Sequence, residues 1–308
     1  MQFAIEDIFS SIQRSANKIP AGTLSARLRF GEHKSDFRDQ GYDFYQIREY
    51  DPERDSVSQI QWSSFDPDGT VYVREAKITK EFVVIVMADL SSSMAFSAGY
   101  PCKIRLLLET IGSIGLTCFH GQDPMGLIGF ADNVIFDEPP RVGENNTYYL
   151  LEKLYDYFET MFKELSEGQP GRGTDFPEAL DFFAKRYGNK RCFVVVVSDF
   201  IGCENLIDSP ILQDITSQHE AVFLFLDDPN EFKIKSPWGF LRTRDVESGK
   251  IGTVSLRRFQ QSGRITRMFR KRLREELGSA EVDSVVLEPG KIDRLARFFQ
   301  TRQEKFRT

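Results

Sequence analysis

Cysteine and histidine, the side chains that most often hold zinc, are scarce in this sequence. Its 308 residues include only three histidines and four cysteines, which are Cys102, Cys118, Cys192 and Cys203. No two cysteines form a C-x-x-C pair, so a zinc site is not expected. Nothing in their spacing suggests a disulfide framework either, which favours a protein of a reducing compartment.

Long hydrophobic segments are also absent. The longest apolar runs have about seven residues, whereas a helix needs about 20 apolar residues to cross a bilayer. The N-terminus shows no basic segment followed by an apolar run, so no signal peptide is expected. We therefore predict a soluble, cytoplasmic protein without a transmembrane segment.

The sequence has no excess of positive charge. Lysine and arginine total 40 against 46 aspartates and glutamates, and the formal net charge is -6. Nonspecific nucleic-acid binding depends on neutralising phosphates, so this balance argues against it. A hydrophobic content of 41% is ordinary for a globular chain. The 27 phenylalanines favour a large apolar core, or aromatic side chains at an interface.

The most informative pattern lies in residues 82–94. Seven apolar residues end in Asp89, which is followed by Ser91 and Ser93. An uninterrupted apolar run is typical of a strand that helices cover on both faces of a parallel sheet. Ligands of such sheets bind at the carboxyl ends of the strands, and oxygen groups there suit a hard cation such as Mg²⁺. The alternative is a buried strand followed by an ordinary serine-rich turn.

Two later stretches extend this pattern. A loop at residues 171–175 contains Thr174 and precedes a helix-like segment. A second apolar run, at residues 192–197, ends in Ser198 and Asp199. The ordered set of Asp89, Ser91, Ser93, Thr174 and Asp199 resembles the metal-ion-dependent adhesion site of von Willebrand factor A domains. All three parts of that site are matched, which is far more specific than any one of them.

The resemblance implies a role for each of these residues. The hydroxyls of Ser91 and Ser93 would bind the metal directly, and Thr174 directly or through water. The carboxylates of Asp89 and Asp199 would act mostly through water and by orienting the hydroxyls. The implied ion is Mg²⁺, or Mn²⁺ or Ca²⁺, and a carboxylate from another protein would complete its coordination.

A second resemblance covers the segment before this strand. It is similar to the bacterial family called domain of unknown function 58, which carries a characteristic motif just ahead of a von Willebrand A-like domain. The matching residues are Gly31, Ser35, Gly41, Phe44, 47–52, Ile60, Trp62 and 71–75. The chain departs from the family motif at Glu53 and Arg54, at the arginine that precedes the motif's I-D-W, and at Gln61, whereas Asp55 matches. The resemblance implies a partnership with MoxR-type AAA+ ATPases and a role as adaptor or co-chaperone.

These patterns predict an α/β fold with a von Willebrand A-like, doubly wound and mostly parallel sheet. Strands and helices alternate from residue 80 onward, which is typical of β-α-β units. The predicted domains are an appendage at 1–79, with an amphipathic helix at 2–14 and short strands, and the main domain at 80–308. A tight turn at residues 131–133 between two short strands, expected to end at Phe136, resembles the antiparallel edge hairpin of von Willebrand A domains, which implies such a hairpin here. Glycines and prolines predict an insertion at 229–261, and a helix is expected at 264–277.

Two other functions remain open at this point, an enzyme and a binder of nucleic acid or acidic partners. A dehalogenase-type phosphatase motif needs a second aspartate where this chain has Ser91, and a serine hydrolase needs a G-x-S-x-G motif that is missing. We therefore predict no catalytic residues, although a metal-dependent phosphoester enzyme is retained as an alternative. Residues 257–274 contain eight basic side chains. They would either form a binding face for nucleic acid or an acidic partner, or belong to an ordinary solvent-exposed helix. These are Arg257, Arg258, Arg264, Arg267, Arg270, Lys271, Arg272 and Arg274.

Overall fold

The computed structural model describes residues 3–16, 19, 43–51, 60, 71–77, 83–95, 103–203, 206, 209–232, 240–244 and 251–305. The chain divides into two compact units, one of Met1–Phe30 with Phe82–Thr308 and one of Gly31–Glu81. This division assigns the N-terminal helix to the large unit, whereas the sequence analysis assigned it to an appendage at 1–79.

The described part of the chain contains ten strands. They are β1 (Asp43–Glu49), β2 (Tyr72–Lys77), β3 (Val83–Asp89), β4 (Met125–Phe130), β5 (Val134–Arg141), β6 (Cys192–Ser198), β7 (Glu220–Leu226), β8 (Phe240–Arg244), β9 (Ile251–Ser255) and β10 (Asp283–Leu287).

Seven α-helices accompany these strands in the described ranges. They are α1 (Ile5–Ala16), α2 (Lys103–Gly121), α3 (Glu144–Ser166), α4 (Phe176–Tyr187), α5 (Pro210–Gln218), α6 (Leu256–Ser279) and α7 (Asp293–Lys305). None of these helices is both long and apolar enough to cross a membrane.

A six-stranded sheet forms the centre of the large unit, with the strand order β10-β7-β6-β3-β4-β5. The first five strands in this order are parallel, and β5 runs antiparallel to β4 at the edge. The predicted edge hairpin is therefore confirmed, although β5 extends to Arg141. Pro139 and Pro140 fit this position because proline lacks the N–H that a central strand would need.

Helices cover both faces of the sheet and create two cores. Alternate residues of β3 divide between them: Val84 and Val86 face one core, and Ile85 and Met87 face the other. Side chains from α1, α2, α3 and α7 fill the first core, and side chains from α4, α5 and α6 fill the second. This is the doubly wound, mostly parallel α/β architecture that the sequence predicted.

The N-terminal helix α1 is part of the first core. Its Ile8 and Ile12 are fully buried. A Cβ atom at Gly112 of α2 would lie 2.8 Å from Cγ2 of Ile12 and 3.0 Å from Cδ1 of Leu151. Glycine at this position therefore lets α1 approach α2 closely. Burial of these isoleucines explains why α1 groups with the large unit.

The small unit contains a β-hairpin. Its strands β1 and β2 pair antiparallel from Asp43 opposite Lys77 to Glu49 opposite Tyr72. A further hydrogen bond, from the N–H of Tyr50 to the carbonyl of Val71 (2.7 Å), extends the pairing. The two strands expected in this region are confirmed.

The segment predicted as an insertion at 229–261 contains regular structure. Strands β8 and β9 pair antiparallel within it. Helix α6 begins at Leu256, well before the expected start at 264, and the side chain of Ser255 caps it by accepting a hydrogen bond from the N–H of Arg258. A serine cap and a long run of good helix formers explain the earlier start.

Candidate metal centre

The predicted site lies where β3 and β6 end side by side. These strands are parallel neighbours, with Ala88 opposite Val197, as the shared site required. The helix after β3, α2, packs on one face of the sheet, and the helix after β6, α5, packs on the other. The chain therefore turns in opposite directions after the two strands, which opens the crevice where such sheets bind ligands.

Hydrogen bonds connect four of the five predicted residues. One carboxylate oxygen of Asp89 accepts from the N–H of Ser91 (2.9 Å), and the hydroxyls of Ser91 and Ser93 lie 3.0 Å apart. The Ser93 hydroxyl then donates to Oδ1 of Asp199 (3.2 Å). The structure thus brings Asp89, Ser91, Ser93 and Asp199 into one continuous group of oxygen atoms.

Ser198 fixes the second oxygen of Asp89. Its hydroxyl donates to Oδ2 of Asp89 (2.5 Å) and accepts from the N–H of Phe200 (2.8 Å). Phe200 has a φ of 50°, which is unfavourable for a side chain of this size. The buried ring of Phe200 stacks on Phe176 at 5.3 Å, and this packing holds the strained turn directly after Asp199.

The loop that carries Thr174 is attached to the serine loop. The backbone N–H of Ser92 donates to the carbonyl of Arg172 (2.9 Å), and the Ser92 hydroxyl accepts from the Arg172 N–H (2.7 Å). Asp175 donates its N–H to the carbonyl of Ala131 (2.7 Å) at the end of β4. Within the described residues, no hydrogen bond joins the Thr174 hydroxyl to the other four side chains. Its loop is near the site, but its contact with them stays a prediction.

A buried lysine, which the sequence analysis did not include, reaches the site from α2. Lys103 is fully buried, and its ammonium group donates to Oδ2 of Asp199 (2.6 Å) and to Oε1 of Glu231 (2.8 Å). The other carboxylate oxygen of Glu231 is buried and has no hydrogen-bond partner in the described part of the chain. Lys103 therefore supplies a fixed positive charge beside the predicted ligands.

Arg270 supports Asp199 from the opposite core. Its Nε donates to the backbone carbonyl of Asp199 (2.6 Å), and its Nη1 donates to Oδ1 of Asp227 (2.6 Å). Arg270 is only 7% exposed. One of the eight bases of residues 257–274 is thus a buried structural residue of the site and does not belong to a solvated face.

These charges shift the pKa values of the carboxyls in opposite directions. Burial, with the nearby charge of Asp199, raises the pKa of Asp89 to about 6, although hydrogen bonds from Ser198 and Ser91 oppose the shift. Burial would also raise the pKa of Asp199, but the charges of Lys103 and Arg270 outweigh it and lower that pKa. Asp199 is thus the carboxylate that stays ionised, and Asp89 is the one that binds a proton more easily.

Burial and neighbouring charges also compete at Lys103, but each shifts the pKa in the direction opposite to its effect on Asp199. Burial alone would lower the pKa of Lys103, but the charges of Asp199 and Glu231 outweigh it, and the pKa lies above its usual value. For Glu231, burial dominates over the attraction of Lys103 and raises the pKa. The ammonium group of Lys103 is therefore firmly charged.

One signal for Lys103 was present in the sequence. A positive charge at the start of a helix opposes the helix dipole, so lysine is unfavourable as the first residue of α2. Such a residue needs a compensating partner. The identity of that partner does not follow from spacing, because Asp199 and Glu231 lie 96 and 128 residues away in sequence.

The donor set fits a hard divalent cation. Four carboxylates, Asp89, Asp199, Asp227 and Glu231, lie in this group with two cations, Lys103 and Arg270, so two negative charges remain uncompensated when all four are ionised. Among the described residues, no group of three His, Cys, Asp or Glu side chains is arranged to hold a metal ion. A divalent cation at this position would therefore need the hydroxyls of Ser91 and Ser93 as ligands, since Mg²⁺ is coordinated by oxygen atoms.

The two described histidines lie away from the serines. His219 is buried, its Nδ1 accepts from the N–H of Cys192 (3.2 Å), and its ring packs edge-on against Phe183. His120 is exposed at the end of α2 beside Phe119. The third histidine, His33, lies outside the described residues. In this part of the structure, neither serine has the histidine base that a serine hydrolase requires.

Comparison with known proteins gives one family match. A family model described as protein of unknown function DUF58 matches residues 46–276. No curated protein matches the chain significantly in sequence.

Several solved structures resemble the chain distantly. BatB, a conserved hypothetical protein from Bacteroides thetaiotaomicron, is 14% identical with a TM-score of 0.44, covering 72% of this chain and 99% of its own. An aerotolerance-related membrane protein from Bacteroides fragilis NCTC 9343 is 16% identical with a TM-score of 0.43, and the match covers 73% of this chain and 99% of that protein. The SpRpn10 VWA domain is 11% identical with a TM-score of 0.37, and the match covers 70% of this chain and 94% of that domain. The fold assignment rests on the strand order described above.

Proposed function

Because the chain belongs to the DUF58 family, whose description assigns no activity, we propose its function from the site: it is a divalent-metal-dependent protein-interaction module. The observation that carries this proposal is the hydrogen-bonded series from Asp89 through Ser91 and Ser93 to Asp199. Oxygen atoms from the ends of two neighbouring strands converge here. Asp89, Ser91 and Asp199 are buried, and Ser93 is the partly exposed member of the series, through which a partner would reach the site.

The arrangement assigns different tasks to the hydroxyls and the carboxylates. Ser91 and Ser93 would hold Mg²⁺ directly, and Asp89 and Asp199 would orient them and bind its water molecules. When bound, the ion supplies an electrophilic centre for a carboxylate of a partner protein. Lys103 holds Oδ2 of Asp199 and leaves Oδ1 directed at Ser93, which favours an orienting role for Asp199.

We further propose that the partners are a MoxR-type AAA+ ATPase and a client protein. The support is the similarity of residues 31–94 to the DUF58 motif and the group of oxygen atoms from Asp89, Ser91, Ser93 and Asp199, which would form the proposed acceptor site for a carboxylate. In this role the chain acts as an adaptor or co-chaperone. Among the described residues, no feature favours the alternative of a phosphoester enzyme.

The metal is tested by calorimetric titration of the purified chain with Mg²⁺ and Mn²⁺. Ser93→Ala removes a predicted direct ligand, so we expect metal affinity to fall at least about tenfold. Ser166→Ala is the matched control, because this exposed serine bonds only locally, to the carbonyl of Lys163. Equal affinities of wild type and Ser93→Ala would refute the site.

The partner is tested by a pull-down with a purified MoxR-type ATPase, with and without chelator. We expect retention that depends on metal and is weaker for Ser93→Ala and Thr174→Ala than for Ser166→Ala. Full retention of wild type and Ser93→Ala in chelator would show that the partner is recognised elsewhere on the chain.

A further inference from the structure

The outer face of α6 exposes two large apolar side chains. Ile265 is 57% exposed and Met268 is 72% exposed. They are the most exposed of the large hydrophobic side chains that the described part of the chain presents to solvent, ahead of Val142 and Tyr149. They are three residues apart, so they lie next to each other on one side of the helix.

Basic side chains surround this apolar pair. Residues 256–274 contain no acidic residue. The nearest acids, Glu275 and Glu276, pair with Lys271 at 3.6 Å and with Arg272 at 2.9 Å, so they neutralise only the C-terminal end of the helix. The exposed basic residues in the first half of α6 have no acidic residue of the helix to pair with. They are Arg257, Arg258, Arg264 and Arg267. We refer to Arg257, Arg258 and Arg264 with Ile265 and Met268 as the α6 surface. Arg267 lies two residues from Ile265 and projects from another side of the helix, where its Nε donates to the carbonyl of Gly263.

The opposite face of α6 holds the helix in place. Leu273 and Leu277 are buried in the second core. A Cβ atom at Gly263 would lie 2.4 Å from the ring of Phe232, so helix and loop pack here without space between them. Because the inner face is fixed, the α6 surface is presented with little loss of conformational freedom on binding.

We propose that the α6 surface binds an acidic segment of a partner protein that carries apolar side chains between its carboxylates. Carboxylates would pair with the arginines, whose planar guanidinium groups suit two-point hydrogen bonding. The apolar side chains would pack on Ile265 and on the flexible side chain of Met268. The charge of this surface is opposite to the net charge of -6 of the whole chain, so it is a local feature.

The composition of the surface favours a protein over a nucleic acid or a membrane. Phosphate binding requires only the bases and gives no role to an exposed isoleucine and methionine. Helices that lie on membranes expose a broader apolar face, with tryptophan, phenylalanine or leucine. Arginine and methionine are enriched in protein–protein interfaces, where apolar centres have charged rims. This contact does not involve the metal site and stands independently of the function proposed above.

The test uses the full chain in chelator, so that failure of the metal site does not affect it. The probe is a synthetic acidic peptide in which leucines alternate with glutamates at helical spacing, and the reference peptide has the same charge with glutamine in place of leucine. The variants are the double substitution Ile265→Ser with Met268→Ser, and Arg257→Glu with Arg264→Glu. The matched controls are Val142→Ser with Tyr149→Ser, and Lys190→Glu with Arg191→Glu, which change exposed residues elsewhere.

We expect the leucine peptide to bind more tightly than the glutamine peptide, and both α6 variants to bind it at least about tenfold more weakly than both controls. Equal binding of the two peptides, or no binding of the leucine peptide, would overturn the proposal. Tighter binding to duplex DNA or to anionic lipid vesicles that persists in Ile265→Ser with Met268→Ser would overturn it in favour of phosphate recognition. Self-association that this double variant abolishes would assign the surface to a second copy of the chain.

Discussion

At the residue scale, a buried positive charge determines the electrostatics of the candidate site. Lys103 is enclosed with Asp199 and Glu231 and holds both by hydrogen bonds. Removing one partner of a buried ion pair leaves the other charge buried and uncompensated, which costs far more than the pair itself contributes. Lys103 therefore keeps Asp199 ionised and in position.

Substitution of this lysine by methionine tests that role. We expect Lys103→Met to lower the free energy of unfolding in chelator by about 3–5 kcal/mol. Lys185→Met is the matched control, because Lys185 is exposed and pairs with Asp181 at the surface; a loss of about 0.5 kcal/mol or less is expected there. Urea unfolding followed by circular dichroism measures both. A Lys103→Met protein as stable as the control would contradict this account.

The raised pKa of Asp89 predicts a pH dependence. The folded protein holds the Asp89 proton up to about pH 6, whereas the unfolded chain releases it near its usual pKa of 3.8. The free energy of unfolding in chelator should therefore fall as pH rises from 3.8 through about 6, by on the order of 3 kcal/mol. Asp89→Asn should lack this component, and its amide can donate to the Ser198 hydroxyl.

The measurement is urea unfolding of both proteins between pH 4 and pH 8. Groups that titrate alike in the two proteins cancel in the difference, which leaves the contribution of Asp89. A difference that does not change with pH would show that burial leaves the Asp89 carboxyl unshifted. Saturating Mg²⁺ should abolish the fall for wild type, because the ion stabilises the ionised carboxylate.

At the element scale, the position of α1 shows how packing determines which helix belongs to which unit. The helix is separated in sequence from the rest of the large unit by the whole of Gly31–Glu81. Its isoleucines nevertheless complete the first core beside α2, where Gly112 permits close approach. The large unit is thus built from two separate parts of the chain.

Ile12→Ala tests this packing. Removing a fully buried isoleucine should destabilise the large unit by about 2–4 kcal/mol, because a cavity remains between α1 and α2. Ser10→Ala changes an exposed residue of the same helix and should have little effect. The comparison is made by thermal and urea unfolding of the full chain. Equal stability of the two variants would mean that α1 adds nothing to the core.

At the scale of the whole molecule, the sheet topology determines where oxygen ligands can meet. In the sequence, 102 residues lie between Asp89 at the end of β3 and Cys192 at the start of β6, yet the two strands are direct neighbours in the sheet. The crossover places β4 and the edge strand β5 on one side of β3 and the remaining strands on the other. The ligands therefore come from both halves of the large unit, and an ion that binds them stabilises the fold as a whole.

This coupling predicts that metal concentration sets stability. A ligand that binds only the folded state adds free energy of unfolding by mass action. Above the dissociation constant, each tenfold rise in Mg²⁺ should add about 1.4 kcal/mol for wild type and nothing for Asp89→Asn. Unfolding midpoints over a Mg²⁺ series, with Na⁺ at matched ionic strength as control, provide the measurement. Parallel increases in both proteins would indicate nonspecific stabilisation by salt.

The sequence by itself determined the strands of the central sheet and most of the site. Uncharged apolar runs such as residues 83–88 are stable only when both faces are covered, so they predict a doubly wound parallel sheet. Polar residues that follow such runs must emerge at the carboxyl edge. Asp89, Ser91, Ser93 and Asp199 were singled out by this local pattern together with the resemblance to the metal-ion-dependent adhesion site, and the structure brings them together.

Only the tertiary structure decided which distant side chains complete or surround the site. Three such side chains are Lys103, Glu231 and Arg270. Their contacts join residues that are 43 to 128 positions apart in the sequence, and no short-range sequence pattern predicts pairs so far apart. The same holds for Ile265 and Met268, whose residue types predict burial. A helix can bury only one side against a single sheet. In α6 the buried side contains Gly263, Leu273 and Leu277, and their packing fixes the rotation of the helix about its axis. This rotation leaves Ile265 and Met268 exposed to solvent.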